Sequence, residues 1–343
     1  MALIKKVFPF LILIGLLLYF LLFRPKIYQY QFNLMATQID LHIVTERYRN
    51  VDKIKDGLIV ELKRLAKIFS SYDPNSELSF VNQKAFHNEV PLSNELHYVI
   101  ERAISYGTQS NGLFDPTILP LIRLWSVTKS KDFTIPTQKE ISEVLNVVNY
   151  QNIILKEKKI RFLKQGMALG LGGISKGYII DKGIEYLKKE GVSNALLNIG
   201  GDMYALGSKG RGIKWNIGIQ NPRVNKISAK YIGTLSLENV AVATSGDYER
   251  YQKDKAGKRY HHILNPKTGY PSNNSISVTV LAPTAMEADV MATILFILGP
   301  DKGLSFLQNH KNVHGLILYE NEGEIMWRMS SHFPIQPLMN PTK

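Results

Sequence analysis

AVATSGDYERYQKDKAGKRYHHILNPKTGYP, residues 241 to 271, is the stretch on which the reading of this chain turns. It opens with Ala241-Val242-Ala243, an apolar strand-like run that ends in Thr244-Ser245-Gly246-Asp247. A charged, hairpin-like insert follows, and the chain returns through His261-His262-Ile263-Leu264. Asn265-Pro266-Lys267-Thr268-Gly269-Tyr270-Pro271 then forms a turn locked by proline and glycine. Small hydroxyls, a carboxylate and two histidines are thereby gathered in loops held by flanking strands, where binding and catalytic groups concentrate. From these residues alone, a polar hairpin and a reactive site are both open.

Working outward, strands alternate with helices. Downstream, Ser275 to Leu281 alternates as a strand. Thr284-Ala285-Met286-Glu287 is a capping box opening a helix to Leu298, which Gly299-Pro300 stops. Asp289 and Thr293 are four apart in that helix and share a face beside Ala292 and Phe296. A carboxylate and a hydroxyl so placed can hold a hard cation through oxygen; the spacing alone fits a solvated pair equally. Upstream, Asn194 to Asp202, Lys214 to Gln220 and Tyr231 to Ala243 read as strands. Before them, Leu169-Gly170-Leu171-Gly172-Gly173-Ile174-Ser175-Lys176-Gly177-Tyr178 runs into a helix that ends at Gly191. Glycines ahead of a helix let backbone N–H groups approach an anion at its positive end. Ser175 stands where a dinucleotide fingerprint has its third glycine, and the Lys-Ser/Thr of a P-loop is missing. A phosphate cradle and a closely packed turn both remain open.

Nearer the start, Gln38 to Thr45 alternates as a half-buried strand. Val51, Ile54, Leu58, Leu62, Leu65 and Phe69 mark an amphipathic helix, which Pro74 keeps from continuing. A second helix runs from Ser93 to Ser110 and closes on Asn111-Gly112. GLFDPTILPLIRLW, Gly112 to Trp125, sets the carboxylate of Asp115 among apolar residues. Thr137-Gln138-Lys139-Glu140 is a capping box, and Asn152 to Leu163 reads as two strands around Lys156-Glu157-Lys158-Lys159. With no repeat and no linker, residues 28–343 are expected to form one domain in two lobes.

The composition of the 343 residues, 45% apolar and 21% charged, suits a folded chain. Its net charge of +13 fits an anionic substrate or a membrane surface; without an aromatic-basic motif, no nucleic-acid partner is expected. The absence of cysteine excludes disulfides, thiolate chemistry and cysteine-ligated metals. Val7 to Phe23 (VFPFLILIGLLLYFLLF) is an uncharged apolar run at the short end of what spans a bilayer. Lys5 and Lys6 precede it and no small-residue cleavage site follows, so residues 1–27 are expected to be a retained, single-pass membrane anchor. The flanking charges do not orient it.

Taken in order, these segments resemble the ApbE family, the FAD:protein FMN transferases. The likeness runs from Met35 to Gly299. It rests on Met35-Ala36-Thr37, SSYDPNSELSFVN (Ser70 to Asn82), GLFDPT (Gly112 to Thr117), LGGISKGYIID (Leu171 to Asp181) and NIGGD (Asn198 to Asp202). VATSGDYERY (Val242 to Tyr251), HHILNPKTGYP (His261 to Pro271) and ADVMATILFILG (Ala288 to Gly299) complete it. The resemblance implies an α+β fold of two lobes, with mixed or antiparallel sheets and flanking helices, binding FAD between them. It further implies Mg²⁺-dependent transfer of FMN from FAD to a Thr or Ser hydroxyl of an acceptor protein, with release of AMP. Carried over by motif, Asp289, Thr293 and a carbonyl near Gly173 would hold the metal. Met35, Tyr72, Leu113, Phe114, Asp115, Gly170, Lys176, His262 and Ile263 would line the FAD site. His262 would be the general base, with Asp247 orienting it or helping to hold the pyrophosphate.

The family also implies a membrane redox subunit as acceptor and a catalytic domain on the periplasmic or outer side of the inner membrane. The chain departs from the pattern at Gly170, where many members have Asp, and at Lys176, which is acidic in some. Ala36 replaces a Gly and Asn265 an Asp. Hydrolysis of FAD to FMN and AMP, and flavin binding without catalysis, are the alternatives.

Overall fold

The computed structural model describes residues 25–34, 37–45, 50–127, 133–223 and 230–338. The apolar run Val7 to Phe23 and the expected FAD contact Met35 lie outside them. Among the described residues, no helix is long and apolar enough to cross a membrane.

An eight-stranded sheet runs through the centre, each strand antiparallel to its neighbours. Across it lie β1 (Lys26–Leu34), β2 (Thr37–Thr45), β6 (Ala195–Ile199), β7 (Asp202–Leu206), β10 (Val240–Gly246), β13 (Ser277–Ala282), β14 (His314–Asn321) and β15 (Glu324–Met329). β13 is buried along its whole length, so its alternation separates two covered faces rather than core from water. One face carries the helices α1 (Val51–Phe69), α6 (Ser175–Lys189) and α7 (Ala285–Leu298) over the largest core cluster. On the other face a second core cluster, built around Trp215, Leu235 and Phe333, joins the sheet to three strands. These are β8 (Trp215–Gln220), β9 (Tyr231–Leu237) and β16 (Ile335–Pro337).

The other elements are smaller. α2 (Glu77–Lys84) and α3 (Asn94–Gln109) flank α1, and α8 (Pro300–Leu307) packs on β14 and β15. β3 (Val90–Pro91), β4 (Ile153–Lys156) and β5 (Lys159–Phe162) form a small sheet. α4 (Leu119–Trp125) and α5 (Gln138–Leu145) build a separate lobe with the Asn265–Pro271 turn. There Trp125 donates its indole N–H to the Gly269 carbonyl at 2.7 Å and stacks on Tyr260. Gly269 has φ +78°, which favours glycine in that turn. The charged insert is the hairpin β11 (Tyr251–Lys253) and β12 (Arg259–His261).

Two local arrangements fix the helices that carry the site. α7 is apolar nearly all round and therefore buried on nearly every face. Thr284 caps it, accepting the Glu287 N–H, while Asp181 of α6 takes the N–H groups of Ala285 and Met286 at 2.7 and 3.0 Å. A carboxylate there satisfies two donors that the helix itself leaves free and faces its positive end. Gly177 lets α6 come close: a Cβ at that position would lie 2.2 Å from the Ala285 carbonyl oxygen.

Candidate functional site

The helix layer, the end of β10 and the small β8–β9 sheet enclose one cavity of about 890 Å³. Each group reaches it from a held piece of backbone. The Ser70–Asp73 loop is fixed by Ser76, which caps α2 and donates its hydroxyl to the Ser70 carbonyl at 2.5 Å. Asn82 on α2 clasps Leu169, donating to its carbonyl and accepting its N–H, and so ties that loop to the glycine-rich segment. Tyr72 stands at the wall of the cavity with over half its surface exposed, and its ring is of the kind that stacks on a flat partner.

Leu113, Phe114, Asp115, Gly170, Gly173, Lys176, His262, Ile263, Asp289 and Thr293 all line the same cavity. Asp115 does so as a structural group. Its carboxylate accepts the Thr117 N–H and hydroxyl on one oxygen and the Tyr150 N–H on the other. Burial raises its pKa against those bonds. Gly170 sits against Leu119, whose Cβ and backbone would lie 3.2–3.3 Å from a Cβ there, so the segment passes close to α4.

Thr293 faces Gly173: its hydroxyl oxygen is 3.3 Å from where a Gly173 Cβ would be. One Asp289 oxygen accepts the Gly177 N–H at 3.2 Å. Burial, and then the charge of Asp202, push the Asp289 pKa up to about 7 against the pull of Lys176. A carboxylate so held gains from a cation that offsets its buried charge. No group of three or more His, Asp, Glu or Cys suited to a metal occurs among the described residues. Carbonyl and hydroxyl oxygens beside Asp289 are what the cavity offers instead, a donor set that fits a hard cation.

Lys176 pairs with Asp202 at 2.7 Å. Burial pulls the lysine's pKa down, but Asp202 and Asp289 outweigh it and hold the ammonium above the usual range. Asp202, buried at the β6–β7 turn, also accepts the Thr244 N–H, so it links the lysine to the decisive stretch. The sequence reading quoted Asp202 within NIGGD without giving it this task. Lys63, Lys67 and Arg250 are further cations on the cavity wall that the sequence did not single out.

The two histidines differ. His261 is buried, its Nε2 2.8 Å from the Ser272 carbonyl and its Nδ1 accepting the Ile263 N–H, so it is a neutral structural ring. His262 faces the cavity. Its Nδ1 lies 3.3 Å from the Arg250 carbonyl, which can only accept; the proton belongs on Nδ1 and Nε2 is left with a lone pair. Burial, with Arg250 and Lys176 adding to it, lowers the His262 pKa to about 4.

Asp247 does not orient His262, the first of the two roles expected of it. Its carboxylate is held by Arg223 at 2.5 and 2.7 Å, with Arg259 at 3.5 Å. The carbonyl of Arg250, not Asp247, meets His262. Asp247 braces the loop after β10; its presence in SGDYER, between a turn and a charged run, gave no sign of which arginines would take it.

The ApbE family model matches residues 35–317. This chain belongs to the ApbE family. It is 31% identical to the FAD:protein FMN transferase of Klebsiella pneumoniae (strain 342), over 88% of this chain and 92% of that one. It is 33% identical to the FAD:protein FMN transferase of Haemophilus influenzae, over 79% and 80%. Among solved structures, the flavin transferase ApbE from Vibrio cholerae superposes with a TM-score of 0.82 at 26% identity, covering 90% of this chain and 98% of that one. The ApbE protein of Thermotoga maritima gives 0.81 at 31% identity with the same coverage. The α+β, antiparallel architecture is thus the ApbE fold.

Proposed function

We propose that the chain transfers FMN from FAD to a Ser or Thr hydroxyl of an acceptor protein and releases AMP. The observation that carries this is the convergence of His262, Lys176, Asp289, Thr293, Gly173 and Tyr72 on one cavity. Its relatives named FAD:protein FMN transferase support the same reading. Asp289, Thr293 and the Gly173 carbonyl would hold Mg²⁺, which supplies neutralisation of the pyrophosphate's charge. Tyr72 offers a face for the flavin ring, and Leu113, Phe114 and Ile263 give apolar walls. Lys176, kept charged by Asp202, faces the phosphates. His262 Nε2 takes the proton of the acceptor hydroxyl as its oxygen bonds to the FMN phosphorus and the bond to AMP breaks. A base of this kind contributes about 10²–10⁴-fold, whereas charge neutralisation and positioning carry most of phosphoryl transfer. Asp247 keeps the loop between β10 and β11 in place beside the base.

The apolar run Val7 to Phe23 supports a membrane anchor; the periplasmic or outer side proposed for the domain follows from the family likeness and not from the flanking charges. The acceptor is then a membrane redox subunit that carries its own Thr or Ser site. The test is to incubate the protein with FAD, Mg²⁺ and a candidate acceptor, and to weigh the acceptor. A mass gain equal to an FMN residue, lost in Asp289→Asn, is the expected result. AMP release without a mass gain would instead establish hydrolysis, and neither product would leave flavin binding alone.

A further inference from the structure

We propose that the β7–β8 loop, Gly207 to Lys214, is a second membrane contact that lies on anionic lipid headgroups beside the anchor. This rests on reading Val7 to Phe23 as that anchor. The loop reads GSKGRGIK: it carries Lys209, Arg211 and Lys214 and no acidic residue. Its backbone is tied down. Asn194 accepts the Ser208 N–H at 2.7 Å, Asn239 accepts the Gly207 N–H at 2.8 Å, and Lys209 N–H meets the Ile213 carbonyl at 2.7 Å. Held this way, Ile213 projects with 62% of its surface exposed. A single exposed isoleucine is ordinary; its location is what gives it meaning.

The loop packs where the chain emerges from the apolar run. A Cβ on Gly210 would sit 3.4 Å from Pro25 Cγ and 3.5 Å from Val44 Cγ1. Only Arg24 and Pro25 separate Phe23 from Lys26, the first residue of β1. Three residues span at most about 10 Å, while the headgroup layer on each side of a bilayer is about 5–7 Å thick. If Phe23 ends the span, Lys26 and the loop against Pro25 are held at the headgroups by chain length alone. Charge then favours contact, since β1 also lacks any acidic residue. An apolar tip amid cations is the composition that seats at an interface.

The absence of cysteine from the full chain allows single labels to be placed at will. Full-length protein would be reconstituted into vesicles of phosphatidylcholine, with or without phosphatidylglycerol. An environment-sensitive fluorophore is placed at Ile213→Cys or, as control, at Lys302→Cys on α8, beside the opposite sheet edge. The expected result is a blue shift and quenching by nitroxide-bearing lipid at position 213 but not at 302, stronger with phosphatidylglycerol. Each cation at an anionic surface strengthens partitioning about fivefold, so K209Q/R211Q/K214Q should weaken the loop's partitioning about 100-fold. Its quenching should then fall to the level in neutral vesicles. Equal quenching at 213 and 302, with the protein still floating with vesicles after alkaline carbonate, would overturn the loop contact and leave the anchor standing. Loss of flotation would overturn both.

Discussion

Gly177→Ala isolates how the fold places Asp289. The new Cβ would lie 2.2 Å from the Ala285 oxygen and 2.5 Å from the Ala285 carbon and Met286 Cα, all backbone atoms. Since real Cβ contacts stay above 3.0 Å, α6 and α7 must part by about 0.8 Å. That motion stretches the 3.2 Å bond from Gly177 N–H to Asp289 beyond hydrogen-bonding range. It also strains the two bonds by which Asp181 caps α7. Overpacking costs about 1–3 kcal/mol, and a lost hydrogen bond to a charged group about 1.5–3 kcal/mol. Alanine's better helix propensity returns about 1 kcal/mol. The net expectation is a loss of about 3 kcal/mol in denaturant unfolding. FMN transfer should fall about 100-fold, because Asp289 shifts by most of an ångström. Gly172→Ala is the stability control, since a Cβ there meets nothing within 4 Å. If Gly177→Ala unfolds at the wild-type denaturant concentration and keeps its Mg²⁺ dependence, the helix contact does not place the carboxylate and the reasoning fails.

Three further outcomes are expected. Because burial and the charge of Asp202 push the Asp289 carboxylate up to about 7, protons and Mg²⁺ should compete for it. Apparent Mg²⁺ affinity, measured by calorimetry, should weaken about tenfold per pH unit below that point and stay level above it; a flat profile from pH 5 to 8 would refute the assignment. His262, lowered to about 4, is neutral through that range. At saturating Mg²⁺ its acid limb in kcat/KM should therefore lie well below pH 6, and His262→Asn should cost about 10²–10⁴-fold in transfer while leaving FAD affinity, read by flavin fluorescence, nearly unchanged. Trp125→Phe removes the indole donor to Gly269 and should destabilise the protein by about 1–3 kcal/mol in chemical unfolding; no change would mean the turn is held by stacking alone.

Much of this was legible in the residues. α1, α3 and α5 stand where period and caps put them, because their faces are amphipathic and their caps are local. The Ile153–Phe162 hairpin and β13 were equally readable. Asp289, Thr293 and His262 were singled out by spacing and motif, and the fold brings them to one cavity. What the residues withheld depends on partners distant in sequence. Asp115 lines the cavity as expected, but the sequence did not show that its carboxylate also holds Thr117 and Tyr150, the latter 35 positions on. Asp181 and Asp202 act across the fold, on the start of α7 and on Lys176, and no local pattern reveals such pairings. β1 alternates as a strand, with Tyr28, Tyr30, Phe32 and Leu34 toward the core, but it follows so directly on the apolar run that its start is hard to tell from that run's end.

The near-complete enclosure of α7 divides the cavity into halves that differ in how they can yield. Asp289 and Thr293 sit on a helix whose amides are shielded by core on almost every side, so they exchange with solvent only when the whole domain opens. The hairpin leading to His262 is short and two-stranded, exposed at its tip over residues 255–258 but anchored by buried Tyr260 and His261, so only its tip can open locally at little cost. A donor nucleotide would thus meet a wall that does not adjust, while the exposed hairpin tip beside it could move aside for an incoming polypeptide.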